Sequence, residues 1–450
     1  MYEGTTQDRT SSTRRDRKDV VPAIVIVVPA HHKEEEMTVS TAADEVLSGQ
    51  ARGFNLFDPP EDYFDDPGPY FRLLRDGDPL HAQEDGSVLL TRYDDVRQVW
   101  RDLSGLVYKG DQFRQRFGEG PLLEHHTSTM LFRDNPDHDR LRNIVNPFFA
   151  QTSIQQLSRF TQDVVDQEIE KVKRMGEFDF VRDFAFRIPV TLICKIIGVP
   201  VEDADYIQAV GRKVLFPLNP KVPDSAIAEG HDAVAEFKTY LLPFLQEIKS
   251  RPSIDRAENI LCAMAAAQRE GVEISDDEIL HMCIVTLNGG HETTTNLISQ
   301  SIHFLMDDPE SLKQLRDGEV PIATALEELI RFVTPLQLQG RRTTRDVVLD
   351  SGNGTIPAGT EVVLCQASAN RDERIFDSPD RLNLARRPNN HVGFGAGIHV
   401  CLGRSLARLE ASIAIPTVLR ELPTLARGGD VRFQRNTRFR GLEQFPVRIA

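Results

Sequence analysis

The longest continuous helical pattern in the chain opens at Ser275-Asp276-Asp277-Glu278 and runs to about Met306, before Asp308-Pro309 starts another helix. Serine at the first position and glutamate three residues on can each satisfy the other's free backbone N–H, a capping box. Thirty or so residues is long for a globular helix. Between Ile279 and Leu287 only His281 is strongly polar, so the first half reads as buried. A buried helix of that length sets what the rest of the chain must cover.

That pattern then breaks at Asn288-Gly289-Gly290-His291-Glu292-Thr293-Thr294-Thr295-Asn296. Each glycine inside a helix costs about 1 kcal/mol against alanine, and a polar cluster in a buried helix is costly unless its groups are satisfied. Local rules that fail inside a strong element point to function. Glycines let the backbone pass close to a ligand, and threonine hydroxyls can bond to carbonyls one turn back and bend the helix. Taken alone, the segment also fits a partly exposed helix with an acidic face.

A second unusual stretch lies near the C-terminus, His391-Val392-Gly393-Phe394-Gly395-Ala396-Gly397-Ile398-His399-Val400-Cys401-Leu402-Gly403-Arg404. Three glycines precede Cys401, and a helical pattern (Leu402, Leu406, Leu409) follows. The loop therefore delivers a cysteine to a helix N-terminus, where free N–H groups and the dipole favour negative charge. With Arg404 nearby, these surroundings are expected to lower the thiol pKa. A thiolate against a flat ligand suggests haem iron with an axial cysteine. A lone cysteine on a tight turn would more simply be a buried free thiol.

Together these stretches resemble the cytochrome P-450 family. Phe394, Gly395, Gly397, His399, Cys401 and Gly403 stand at the spacing of the family's haem loop. Gly289-Gly290-x-Glu292-Thr293 is similar to its oxygen-activation motif. Glu327-Glu328-Leu329-Ile330-Arg331, a weak motif by itself, lies between the two as in the family, and Arg381 matches the third member of a Glu328–Arg331–Arg381 triad. Leu382 stands where the family more often has Phe. The resemblance covers the chain from about residue 54 to its end.

The resemblance implies a mainly α fold, a triangular helical domain with a small β region, over residues 37–450. It implies haem b with Cys401 as the axial ligand of the iron, and His138, Arg142, Arg341 and His399 for its propionates, with Arg342 as a substitute for Arg341. Phe394, Gly395 and Gly403 shape the loop. Glu292 and Thr293 are implied to manage the protons that dioxygen needs, a general-acid role requiring hydrogen-bond reach. Leu287, Asn288, Gly289, Gln337 and Gln339 fall at substrate-facing positions. The Asn288 amide could equally bond a polar group of the substrate or a neighbouring backbone carbonyl.

Elsewhere the pattern is coarser. Short helices are expected over 69–75 and 94–101, with a strand at 87–91. Residues 104–130 are rich in glycine and read as a loop, with His125-His126 as polar loop residues or, less simply, a metal pair. Helices are expected over 135–149, 154–175, 181–197, 202–215 and 225–250. The last two are joined by Phe216-Pro-Leu-Asn-Pro-Lys-Val-Pro223, and in the family this pair covers the substrate entrance. Residues 321–332 read as a helix and 337–364 as short strands.

The net charge of −15 argues against general nucleic-acid binding. Five scattered cysteines (194, 262, 283, 365, 401) with no C-x-x-C pair suit a reducing compartment, the cytoplasm. Residues 1–19 are charged and rich in Ser, Thr and Arg. The apolar run from Val20 to Ala30 is broken by Pro22 and Pro29 and is far short of a membrane span. The expectation is a disordered extension over residues 1–36, with Met37 as an alternative start and no stable membrane anchor.

The function implied is that of a bacterial-type monooxygenase. It would insert one atom of dioxygen into a small, mostly apolar organic substrate by hydroxylation or epoxidation. Electrons would come from NAD(P)H through a ferredoxin reductase and a ferredoxin, docked at Arg140, Arg142, Arg404 and Arg408. The alternatives are a peroxide-using or dehydrating enzyme of the same fold, and a non-enzymatic haem sensor.

Overall fold

The computed structural model describes residues 42–102 and 105–449. The expected extension over 1–36 and the alternative start at Met37 lie outside them.

The central helix spans Asp276–Asp307, and its capping box forms as the sequence requires. The Ser275 hydroxyl oxygen accepts from the Glu278 N–H at 3.0 Å, and the Glu278 carboxylate accepts from the Ser275 N–H at 3.0 Å. Ile279, Met282, Cys283, Ile298, Ile302 and Leu305 are buried along it. Removing that apolar surface from water is what holds the surrounding helices in place. The helices Arg187–Ile197, Ala204–Leu215 and Asp224–Ser250 pack on it, as do Ile322–Val333 and Arg404–Glu421. The helix Ile260–Arg269, capped by the Asn259 side chain on the Cys262 N–H at 2.8 Å, joins this core without a sequence expectation behind it.

The β structure is small. A five-stranded sheet has the spatial order Leu80–Ala82, Val88–Leu90, Glu361–Cys365, Leu338–Thr343, Gly105–Leu106. Val88–Leu90 runs parallel to Glu361–Cys365, and the other pairs are antiparallel. Strand Pro446–Ile449 pairs with Glu177–Asp179 and Leu425–Arg427. A C-terminal hairpin, Arg432–Phe433 with Leu442–Gln444, presents its turn to the segment before Leu338.

The expected loop over 104–130 is a correction. It contains two helices, Gly110–Phe117 and Pro121–Ser128. Gly118 and Gly120, both at positive φ, form only the break between them. Phe113, Phe117, Leu122 and Leu123 are buried, and so are His125 and His126. His126 Nδ1 bonds the Leu122 carbonyl at 2.8 Å, and His125 Nδ1 lies 3.4 Å from His281 Nδ1. Among the described residues no helix is long and apolar enough to cross a membrane, and no group of three or more His, Cys, Asp or Glu could hold a metal ion.

Candidate active site

The loop before the cysteine is tied down at several points. The Val392 N–H donates to the Asn370 side chain at 2.8 Å. His391 Nε2 bonds Glu327 at 2.9 Å, and Arg408 reaches the same carboxylate at 2.6 and 2.8 Å. These two partners hold the Glu327 carboxyl down at about 2, against the opposing pull of burial. The Arg408 guanidinium also lies 4.5 Å above the Phe394 ring. The Cys401 N–H closes the loop on the Phe394 carbonyl at 2.9 Å. Gly397 has φ +74°, and a Cβ there would stand 2.6 Å from the Trp100 carbonyl, so only glycine fits.

The helix after the loop begins at Arg404, three residues beyond Cys401. The Gly403 N–H and the charges of Arg142, Arg404 and Arg408 all favour a thiolate. Burial is the larger effect, and it pushes the free Cys401 thiol up rather than down. The expectation of a lowered pKa is corrected on that ground.

Around the loop stand buried nitrogen atoms without partners. The His138 and His399 rings meet edge to face with centroids 4.3 Å apart. The Nε2 atom of each is buried and has no hydrogen bond among the described residues. His399 Nε2 is 3.9 Å from Asp134, too far for a direct bond. Arg341 is buried, its side chain bonds among the described residues only the Gly340 carbonyl at 2.8 Å, and burial pushes it down to about 10 against a partial offset from Asp134. Such groups are costly unless something answers them. Two carboxylates of a haem would answer all three, so the donor set fits that group. Arg142, expected in the same role, donates to the Ile398 and Val400 carbonyls at 3.1 and 2.6 Å, bracing the loop.

The middle of the break in the central helix is locally satisfied, while Asn288 and Asn296 at its ends keep unpartnered amide atoms among the described residues. His291 Nδ1 bonds the Leu287 carbonyl at 2.8 Å, and the Thr295 hydroxyl donates to the His291 carbonyl at 2.8 Å. The Thr293 hydroxyl makes only a long bond of 3.4 Å to the Gly289 carbonyl. The two glycines differ in purpose. A Cβ on Gly290 would lie 2.6 Å from Ile193, so Gly290 lets two helices approach. A Cβ on Gly289 would meet nothing within 4 Å, so Gly289 faces open space.

Glu292 lines a hollow of about 10 Å³ with Gln208, Arg212, His291 and Thr295, room for roughly one water. Burial raises the Glu292 carboxyl, and Arg212 pulls it back. Asn288 is buried with neither amide atom bonded among the described residues, its oxygen set against Gly211. The neighbouring-carbonyl alternative for Asn288 is thereby removed. Leu287 is fully buried, and Gln337 is buried as well. Gln339 Nε2 donates to the Gln366 side chain at 3.3 Å and lies beside Gly395.

The triad is as expected in two members and different in the third. Arg331 Nε and Nη2 bond the two Glu328 oxygens at 2.7 and 2.8 Å. The third member is Arg386, whose Nε lies 3.1 and 3.0 Å from the same oxygens. Arg381 is exposed and offers only its carbonyl to Arg386. The loop 377–390 folds back so that the later arginine, not the earlier, reaches the core.

The four arginines expected to dock a ferredoxin are mostly engaged. Arg140 pairs with Asp137 and Glu278, Arg408 with Glu327, and Arg142 with loop carbonyls. Arg404 is exposed and has no ion pair among the described residues.

A profile described as "Cytochrome P450" matches residues 79–320 and 321–439. A vitamin D(3) 25-hydroxylase from Pseudonocardia autotrophica is 34% identical over 397 residues, covering 86% of this chain and 95% of that protein. The crystal structure of P450BioI with an acyl carrier protein ligated to hexadec-9Z-enoic acid superposes with a TM-score of 0.80 at 30% identity, covering 86% and 99% of the two chains. CYP109E1 from Bacillus megaterium, in complex with testosterone, gives 0.78 at 26% identity over 87% and 99%. Extent of match, thiol loop and fold agree, and the chain belongs to the cytochrome P450 family of haem-dependent monooxygenases.

Proposed function

We propose that this chain hydroxylates or epoxidises a small, mostly apolar organic substrate, using dioxygen and electrons delivered by a separate ferredoxin and its reductase. The observation that carries the reading is the pairing of the Cys401 loop with a central helix whose Gly289 faces open space beside Thr293. Haem b, held by Cys401 and by His138, His399 and Arg341, would supply dioxygen binding and oxygen transfer.

The chain's own residues position and protonate. The Gly403 N–H and three arginines stabilise negative charge on Cys401 Sγ. The long Thr293 bond leaves its hydroxyl free to turn toward a ligand over Gly289. The Glu292 carboxyl, raised by burial, holds a proton at higher pH than an exposed glutamate and can take it from water in the adjoining hollow. The apolar ligands named for the relatives, vitamin D(3), testosterone and a hexadecenoyl chain, support an apolar substrate. All five cysteines are free, which supports a cytoplasmic setting.

The test is turnover with a ferredoxin, its reductase, NADH and isotopically labelled dioxygen, on ligands first selected by their effect on the haem spin state. Label in the product supports the reading. Label-free product, or turnover with peroxide alone, contradicts it.

A further inference from the structure

Three basic side chains converge where the helix Gly110–Phe117, the turn of the C-terminal hairpin and the connection Phe216–Pro223 meet. Lys109 is buried and paired with Glu361, its ammonium tucked under Gly340. Arg116 donates through Nη2 to the Asn219 carbonyl and, at 3.4 Å, to that of Pro220. Arg438 donates through Nε to the Leu218 carbonyl at 3.0 Å. Two guanidiniums from distant parts of the chain thus meet under three consecutive carbonyls.

Neither guanidinium has an ion pair among the described residues. Among the described residues the one acid that influences Arg116 is Asp85, beyond ion-pair distance, and none offsets Arg438. The carboxylate of Glu361 is already taken by Lys109. Arg116 and Lys109 are near enough to Arg438 for the charges to disfavour one another. Burial pushes Arg438 down to about 10, yet both arginines keep some accessible surface. Most of their ten N–H groups remain unspent. A pair of like charges in that setting is unfavourable until an anion joins it.

Aromatic rings border the pair, with the buried His126 ring 5.2 Å from that of Phe117. Phe113 and Phe117 stack at 5.4 Å, and Arg116 lies 5.7 Å from the Phe117 ring centre. The place is also connected to the candidate active site. The Arg438 carbonyl accepts from the Gln337 N–H at 2.7 Å, and Gln339, two residues on, lies against Gly395 of the cysteine loop.

We propose that Arg116 and Arg438 form a subsite for the carboxylate end of an otherwise apolar substrate. The planar guanidinium fork matches a carboxylate in shape and charge. The proposal deepens the oxygenase reading and rests on it for the identity of the pocket. It also says which end of the substrate stays fixed, so that oxidation falls toward the opposite, apolar end.

The experiment compares saturated fatty acids with the primary alcohols of the same chain length, medium to long, by calorimetry on the haem-loaded full chain. The acid is expected to bind at least about tenfold more tightly than its alcohol, the scale of a charge-assisted hydrogen bond. Arg116→Gln and Arg438→Gln should each erase most of that advantage and leave alcohol binding unchanged. An equal affinity for acid and alcohol, or no binding of acid at any length, overturns the proposal. So does an equal loss of both ligands in the variants, which would mean that the arginines only hold the turn at residues 218–220. The carbon monoxide difference spectrum of the same samples reports cysteine ligation independently, so a failure of the oxygenase reading shows there and not in the acid-to-alcohol ratio.

Discussion

Arg386 Nε lies 3.0 Å from Glu328 Oε2, inside a core where Glu328 and Arg331 are fully buried. Glu328 also accepts from the Asn383 N–H at 3.0 Å and the Asn389 amide at 3.1 Å. One carboxylate therefore gathers the segment that leads into the cysteine loop. Removing a partner from such a buried group costs about 3–5 kcal/mol. Arg386→Ala is expected to lose that order of stability and to bind haem poorly. Arg381→Ala, which removes only an exposed side chain, should change stability by about 0.5 kcal/mol or less. Denaturant melts of the two variants decide which arginine belongs to the triad.

Glu410 provides a second test. It is fully buried on the cysteine helix, and among the described residues neither carboxyl oxygen has a hydrogen bond of normal geometry. Burial raises its pKa well above the ordinary value, and the neighbouring Thr294 hydroxyl only tempers that. The folded chain therefore holds this proton where the unfolded chain has released it. The stability it contributes is complete below the unfolded value of about 4.3 and is lost as pH rises toward the folded value. Glu410→Gln removes the titration. Its melting temperature should fall less than that of the parent between mildly acidic and alkaline pH; parallel curves would contradict this.

Arg341 separates haem binding from folding. Its charge is buried with no ion pair among the described residues, and Asp134 only partly offsets the burial. Arg341→Gln should leave the haem-free chain as stable as the parent or slightly more so. It should weaken haem retention by about 1.5–3 kcal/mol, the value of a hydrogen bond to a charged group. Haem transfer to apomyoglobin, alongside melts of the haem-free proteins, measures both. A loss of haem-free stability with unchanged retention would assign Arg341 a purely structural role.

Thr293→Ala addresses proton handling. Haem content and the carbon monoxide spectrum should be unchanged. Product formed per NADH should fall by about a hundredfold, the lower end of a general-acid contribution, and hydrogen peroxide should rise in its place. Unchanged coupling would remove the Thr293 hydroxyl from the reaction.

What was legible in the sequence was local. The capping box at Ser275 and Glu278 puts all its determinants within a few consecutive residues and is found as read; the run around Cys401 is equally local, and it forms a closed loop leading into a helix. Arg386 was missed because nothing periodic in 377–390 shows which arginine turns inward; that depends on a fold-back toward Glu328, far away in sequence. The helices at 110–117 and 121–128 were hidden by glycines whose role is confined to a two-helix break. The sign of the Cys401 shift was misjudged because charge is visible in a sequence and depth is not. The unpaired state of Arg116 and Arg438 likewise emerges only when three separate elements are brought together.

The most direct test is the spectrum of the reduced, carbon monoxide-bound protein beside that of Cys401→His. The parent should carry haem and show the strongly red-shifted Soret band of sulfur ligation, and the variant should keep haem but lose that band. A parent that lacks the band, or a variant that retains it, contradicts the assignment of Cys401 to the iron.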